Sequence, residues 1–225
     1  LGFQTLYGRV PLRFRPGIAI ALALPVGIWM PDVLGGGSNL ISMAEHASVG
    51  LGMLCLLFVV KVLFTSTSFG SGSPGGIFMP ILAVGALAGG ICGEMLHQWA
   101  GLSSEVVAIF AVCMMTGTLA ASVKTPITSI LLSVEMSGTL THMLPVAAVA
   151  FIALSAPQIA QRLTKAPVLS PLAAAATGGL LLLSADMLAQ HAIPNIQLPV
   201  GIITVSLGGL YLVGLLVRET RKSTR

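Results

Sequence analysis

Long apolar runs, separated by short polar or Gly/Pro-rich breaks, fill the chain from end to end. Arg9, Arg13 and Arg15 interrupt short apolar stretches, which reads as the end of one helix followed by a cytoplasmic loop. Pro16 then occupies a first helical position and opens a run to Met30, which Pro31 closes. Asp32–Asn39 reads as a loop from its Gly-Gly-Gly punctuation. A second run covers 48–69 with Lys61 as its only charge. It breaks at Gly70–Gly76 and resumes from Ile77 to about Leu96. Further runs cover 105–121, 127–136, 143–161, 168–190 and 198–217. A bilayer span takes about 20 residues, so 127–136 predicts a half-helix or a tilted, buried one. Thr125 and Pro126 mark its start as an N-cap and a first-turn proline.

Composition decides what these runs are. Of 225 residues, 55% are hydrophobic and 8% charged, with mean hydropathy +0.97. Soluble domains carry roughly 25% charged residues, so a soluble enzyme is excluded. Disorder needs low hydrophobicity and high net charge and is excluded as well. The length allows about seven or eight membrane-crossing or re-entrant helices. The fold class is therefore an all-α polytopic membrane protein, with the lipid bilayer as its surroundings. Because the chain opens at Leu1 without a signal-peptide pattern, it reads as a piece of a longer protein.

The net charge of +4 and pI near 9.3 come from few charges, gathered at run ends. That is a topology signal and not a nucleic-acid surface. Arg162 and Lys165 follow one span, and Arg218, Arg221, Lys222 and Arg225 follow the last, with two spans between them. Both clusters thus lie on one side, which the positive-inside rule makes the cytoplasm. The C-terminus is expected there, in a cell inner membrane. Cys55, Cys92 and Cys113 are widely spaced within apolar runs and read as small buried hydrophobes rather than metal ligands.

The stretch richest in chemistry is Gly70–Pro80, flanked by membrane-length runs. A non-helical loop at that depth persists only inside protein or beside a watery cavity. Pro74 disfavours helix before it, so the preceding span must end by about Ser73. Gly75 and Gly76 allow backbone to approach a ligand closely. A helix starting at Ile77 or Phe78 would then offer free N–H groups and a positive dipole end. Residue types alone suit either an anion site or a plain aqueous turn.

Gly70–Pro80 resembles the Gly-Ser-Gly-x-Pro-Gly-Gly-x-Phe-x-Pro signature of CLC chloride channels and chloride/proton exchangers. Pro31–Ile41 is similar to the Gly-Gly-Gly loop that precedes it in that family, and Lys124–Gly138 to its later Pro…Thr…Glu-Met-Thr-Gly helix. The resemblance covers about 1–167 and corresponds to the second half of a CLC subunit. It implies half of an inverted-repeat fold with broken, re-entrant helices directed at a central anion. It also implies chloride transport by a channel or antiporter, and a homodimer when complete. The N–H groups of Ile77 and Phe78 would coordinate chloride, with Gly75, Gly76 and Met79 shaping the loop. Neutral donors suit a conducted ion, which must bind yet leave.

There are departures. No Gly-x-x-Glu-Gly-Pro gating motif occurs, and none of Asp32, Glu45, Glu94, Glu105, Glu135, Asp186 or Glu219 stands in a matching context. Leu169 occupies the place of a family tyrosine and cannot donate its hydrogen bond. No selective chloride flux is expected from this chain alone.

Beyond Pro167 the likeness changes. Leu180–Asp186 and Leu198–Gly209 resemble the last two helices of iron–siderophore and cobalamin ABC importer permeases, although Leu210 stands where that family has proline. The chain thus reads as two parts: a CLC-like 1–167, and a permease-like 168–225 carrying two C-terminal transmembrane helices. A fragment of such a permease, with a metal chelate as its substrate, is the alternative function. Asp186 reads as a helix-end or interfacial group before a functional one.

The remaining residues suggest no enzyme, no cofactor and no metal site. His46, His97, His142 and His191 lie scattered without partners at ligand spacing. Glu94 and His97 are spaced to pair on a helix. Lys61 is expected to snorkel to a headgroup rather than to draw anions. Gly85, Gly89 and Gly93 form a small-residue face suited to close helix contact.

Overall fold

The computed structural model describes residues 15–46, 48–71, 75–138, 140–164 and 171–191, together with Ser206 and Gly209. The basic segment around Arg9 and Arg13, Gly72–Pro74, Leu169, the side chain of Asp186, the run after Leu198 and the basic tail lie outside them. All regular structure among the described residues is helical. In chain order the helices are α1 (Arg15–Trp29), α2 (Ser38–Glu45), α3 (Leu51–Gly70) and α4 (Phe78–Ala100), then α5 (Glu105–Val123), α6 (Pro126–Ser137), α7 (Met143–Thr164) and α8 (Pro171–His191). Four of them, α3, α4, α5 and most of α7, are long and apolar enough to cross a membrane, and α1 and α6 are shorter apolar helices. Contacts divide the chain into two compact units, Leu1–Met115 and Thr116–Arg225.

In the first unit, α4 is the central packing element. Its glycines remove the Cβ wherever another backbone comes close. A Cβ on Gly89 would lie 2.2 Å from the Phe110 carbonyl oxygen, and one on Gly93 would lie 2.6 Å from the Val107 Cα. The small-residue face read from the sequence is therefore where α5 sits, as close packing in lipid requires. On another face, Gly90 meets Ala44 of α2, where a Cβ would stand 3.1 Å from the alanine's own.

The Asp32–Asn39 segment is more ordered than its glycines suggest. Pro31–Val33 forms a 3-10 turn and α2 already begins at Ser38, so Ser38 and Asn39 are helical rather than loop. The eight residues of α2 are held by burial of Leu40, Ile41 and Ala44. Isolated helices of that length are marginal, and here tertiary packing supplies the stability. At the end of α2, Glu45 Oε1 is buried without a hydrogen-bond partner. Burial pushes this carboxyl above the usual carboxylate range, and neighbouring His46 partly offsets the shift.

In the second unit, α6 begins with Pro126 and ends at Gly138 in the left-handed conformation. Thr125 holds the N-cap position, but its side chain makes no capping bond. Its ψ of 85° falls short of the extended range from which a capping side chain reaches back. Helices α7 and α8 pack closely. Gly178 faces Ala156 and Ile152, and Thr177 Oγ1 donates to the Ala156 carbonyl at 3.1 Å.

Three further expectations are corrected. Cys55 and Cys92 are exposed and Cys113 is half-buried, so the first two are not core residues. In an apolar run, inward and outward faces carry the same residue types, and sequence cannot separate them. Glu94 and His97 do not pair. Glu94 Oε1 accepts from Gln98 Nε2, a better-placed donor one turn on, at 2.8 Å. The imidazole of His97 instead reaches the Leu102 carbonyl beyond left-handed Gly101. Lys61 does not snorkel. It is fully buried, and its ammonium donates to the Val33 and Gly35 backbone carbonyls.

Candidate anion site at the start of α4

The break between α3 and α4 follows from its residues. α3 runs to Gly70, and Ser71 closes it with its N–H on the Thr67 carbonyl and its hydroxyl on the Ser68 carbonyl at 2.6 Å. Gly75, Gly76 and Ile77 are non-helical, and α4 starts at Phe78 with Ile77 as its cap residue. The break therefore includes both glycines, as the sequence predicts. The first bond across this turn runs from the Ile81 N–H to the Ile77 carbonyl at 3.3 Å. Helix geometry leaves the N–H groups before it without an acceptor in the helix, and Pro80 has none to offer.

Beside this start lies a cavity of about 270 Å³, lined by Gly35, Phe64, Thr65, Ser68, Phe69, Gly75, Gly76 and Pro80. A Cβ added to Gly75 or Gly76 would meet no atom within 4 Å, so both glycines border open space. Of the residues assigned from the sequence, Gly75 and Gly76 line the cavity, while Ile77 and Phe78 are not part of its lining and have exposed side chains. Met79 turns the other way. Its Cβ would stand 3.0 Å from a Cβ on Gly36, which packs the Gly35–Gly37 loop onto the first turn of α4.

Sequence reading did not find the opposite wall, formed by Phe64, Thr65, Ser68 and Phe69 of α3 with Gly35. One signal was available. The apolar run of α3 ends in the hydroxyl series Thr65, Ser66, Thr67 and Ser68, polar residues that a purely lipid-facing end would not need. The glycine loop is itself braced, since Asn39 Nδ2 donates to Asp32 Oδ1 at 2.9 Å across its two ends.

Chemically the site offers backbone donors, a helix N-terminus, hydroxyls and aromatic walls. That combination suits a small anion shed of part of its water. Residues 2–158 match the voltage gated chloride channel family, a stretch that includes the glycine loop, the α4 start and α6. The chain belongs to the voltage gated chloride channel family.

Relatives agree with this membership. The chain is 40% identical over 118 residues to the H(+)/Cl(-) exchange transporter ClcA of Vibrio cholerae, covering 52% of this chain and 25% of that protein. It is 39% identical over 120 residues to the ClcA of Cronobacter sakazakii, covering 53% and 26%. With the ClcA of Citrobacter koseri it shares 39% over 127 residues, 53% of this chain and 25% of that one. The chain thus spans about a quarter of the length of the curated relatives it matches. Residues 124–218 also match the FecCD transport family, in keeping with the permease-like C-terminal part. The two matched stretches share 124–158, which holds α6 and much of α7.

Proposed function

We propose that this chain contributes the second half of a chloride pathway, in which an anion sits against the backbone N–H groups of Ile77 and Phe78. The observation that carries the reading is the start of α4 at Phe78, directly after two exposed glycines that line a half-open cavity. Those N–H groups cost several kcal/mol each if left facing hydrocarbon, so an anion or water opposite them is favoured. Gly75, Gly76 and Met79 then shape the loop. Backbone donors hold chloride without a fixed opposite charge, which keeps binding weak enough for exit. Chloride is cargo here, and the reading invokes no cofactor and no chemical step.

Residues 1–167 form the CLC-like membrane part and 168–225 the permease-like part. The complete protein is a homodimer in the cell inner membrane, with the C-terminus cytoplasmic, as the basic groups at Arg162, Lys165 and 218–225 favour. The FecCD match favours a second reading, in which the chain is a piece of an iron–siderophore or cobalamin importer permease.

Bromide, heavier than chloride and of the same chemistry, tests the site. Crystals of the full chain grown in bromide should show anomalous density beside the backbone of Ile77 and Phe78. Density elsewhere, or none at bromide levels that saturate binding in solution, overturns the anion reading.

A further inference from the structure

The geometry points to Lys61 as a positioning residue for the anion site, acting through the Gly35–Gly37 loop and not on the ion. The inference rests on the anion reading above. A lone lysine within an apolar helix must place its ammonium somewhere polar, and water or headgroups are the usual destination. Here the side chain is fully buried, and Nζ donates to the Val33 carbonyl at 2.8 Å and to the Gly35 carbonyl at 3.0 Å. The compact, three-donor head of lysine can serve two carbonyls at once.

Those carbonyls belong to the end of the 3-10 turn and to the glycine loop after it, where Gly35 at φ 64° and Gly37 at φ 85° take the left-handed conformation that favours glycine. The loop is clasped from both sides. A Cβ on Gly37 would stand 3.0 Å from Lys61 Nζ and 3.0 Å from the Ala83 Cβ, while one on Gly36 would stand 3.0 Å from the Met79 Cβ. Lys61 on α3 therefore presses the loop against the first two turns of α4. Gly35, one of its two acceptors, is also part of the cavity wall that Gly75 and Gly76 complete. Removing the ammonium leaves two carbonyls unpaired and frees the loop to move away from Met79. The turn that presents the N–H groups of Ile77 and Phe78 then loses its support.

The test uses the full chain in lipid nanodiscs, with bromide as the probe. Lys61→Met keeps the side-chain length and removes the donors. It should speed amide exchange at least tenfold at Leu34, Leu40 and Ile41, whose N–H groups bond to Pro31 and Gly37 of this segment. It should also weaken bromide binding at least tenfold, leaving exchange in α7 unchanged, and Lys61→Arg should restore most of both. Unchanged exchange at those amides in Lys61→Met overturns the inference, and so does a loosened loop with unchanged bromide affinity. Should Lys61→Met fail to fold, Gly36→Ala crowds the contact between the loop and the Met79 Cβ with Lys61 intact. Bromide affinity within twofold of wild type in that variant overturns the inference too. Wild-type protein that binds no bromide overturns the anion reading itself and with it the link from Lys61 to an ion. The exchange comparison then decides separately whether Lys61 holds the loop.

Discussion

Two helices of this chain begin abruptly after a break, and their starts are bordered by different residues. At Phe78, α4 opens beside two glycines that line a half-open cavity and would meet no atom within 4 Å with an added Cβ. At Pro126, α6 opens after Lys124, which is held at φ 61°, and the Thr125 carbonyl is already taken by both the N–H and the hydroxyl of Ser129. Both starts carry the positive end of a helix dipole. The difference is the approach: two glycines without side chains line a cavity before the first start, while Lys124 and Thr125 precede the second. A helix N-terminus becomes a site through what surrounds it.

The strongest way to break the first start is from behind. Gly89→Ala would place a Cβ 2.2 Å from the Phe110 carbonyl oxygen, a backbone atom that no rotamer change can move aside. A loss of about 3 kcal/mol or more is expected, read from denaturant unfolding in micelles. Stability unchanged within about 0.5 kcal/mol would mean that α4 and α5 are not in this contact.

The next substitution isolates function from fold. A Cβ at Gly76 meets nothing within 4 Å, so Gly76→Val should unfold like wild type yet bind bromide at least tenfold more weakly, about 1.4 kcal/mol. The matching change at the other start, Thr125→Val, should leave bromide titrations unmoved. Equal losses in both variants would erase the distinction between the two starts.

Smaller effects sharpen it. Lys124 is the one non-glycine residue at positive φ among the described residues, a conformation that glycine adopts without the steric cost. Lys124→Gly should raise stability by up to about 1 kcal/mol without touching bromide affinity. The smallest effect concerns Glu45, whose carboxyl is pushed up by burial. The folded state therefore holds this proton more tightly than the unfolded chain. Its contribution is full below the unfolded value near 4.5 and is lost as pH rises through the higher folded value. Stability should fall slightly across that window in wild type, and Glu45→Gln should flatten the slope.

How much of this was legible in the sequence depends on the range of each interaction. The long spans announce themselves because apolar length is a one-dimensional signal. The start of α4 is equally local, written by Pro74, Gly75 and Gly76 within a few residues. Helix α2 was hidden, because its glycine-rich approach reads as loop and its stability comes from Leu40, Ile41 and Ala44 meeting α4. The acceptors of Lys61 lie 28 and 26 residues upstream, brought there only by the fold. The far wall of the cavity, from Phe64 to Phe69, was hidden for the same reason. Cys55 and Cys92 show the opposite limit, since a uniformly apolar helix does not say which side is inside.

The bond from Thr177 to the Ala156 carbonyl links the stretches of the two family matches. Ala156 lies in the stretch shared by both family matches, and Thr177 lies in the permease-like stretch alone. The end of the chloride channel match at 158 is therefore not a break in the packing, because a hydroxyl and a bare glycine at 178 bring α8 onto α7. Any graft that exchanges the last helices for those of another transporter inherits this requirement. The incoming segment must bring a small residue and a hydroxyl in adjacent positions, whatever cargo its donor carried.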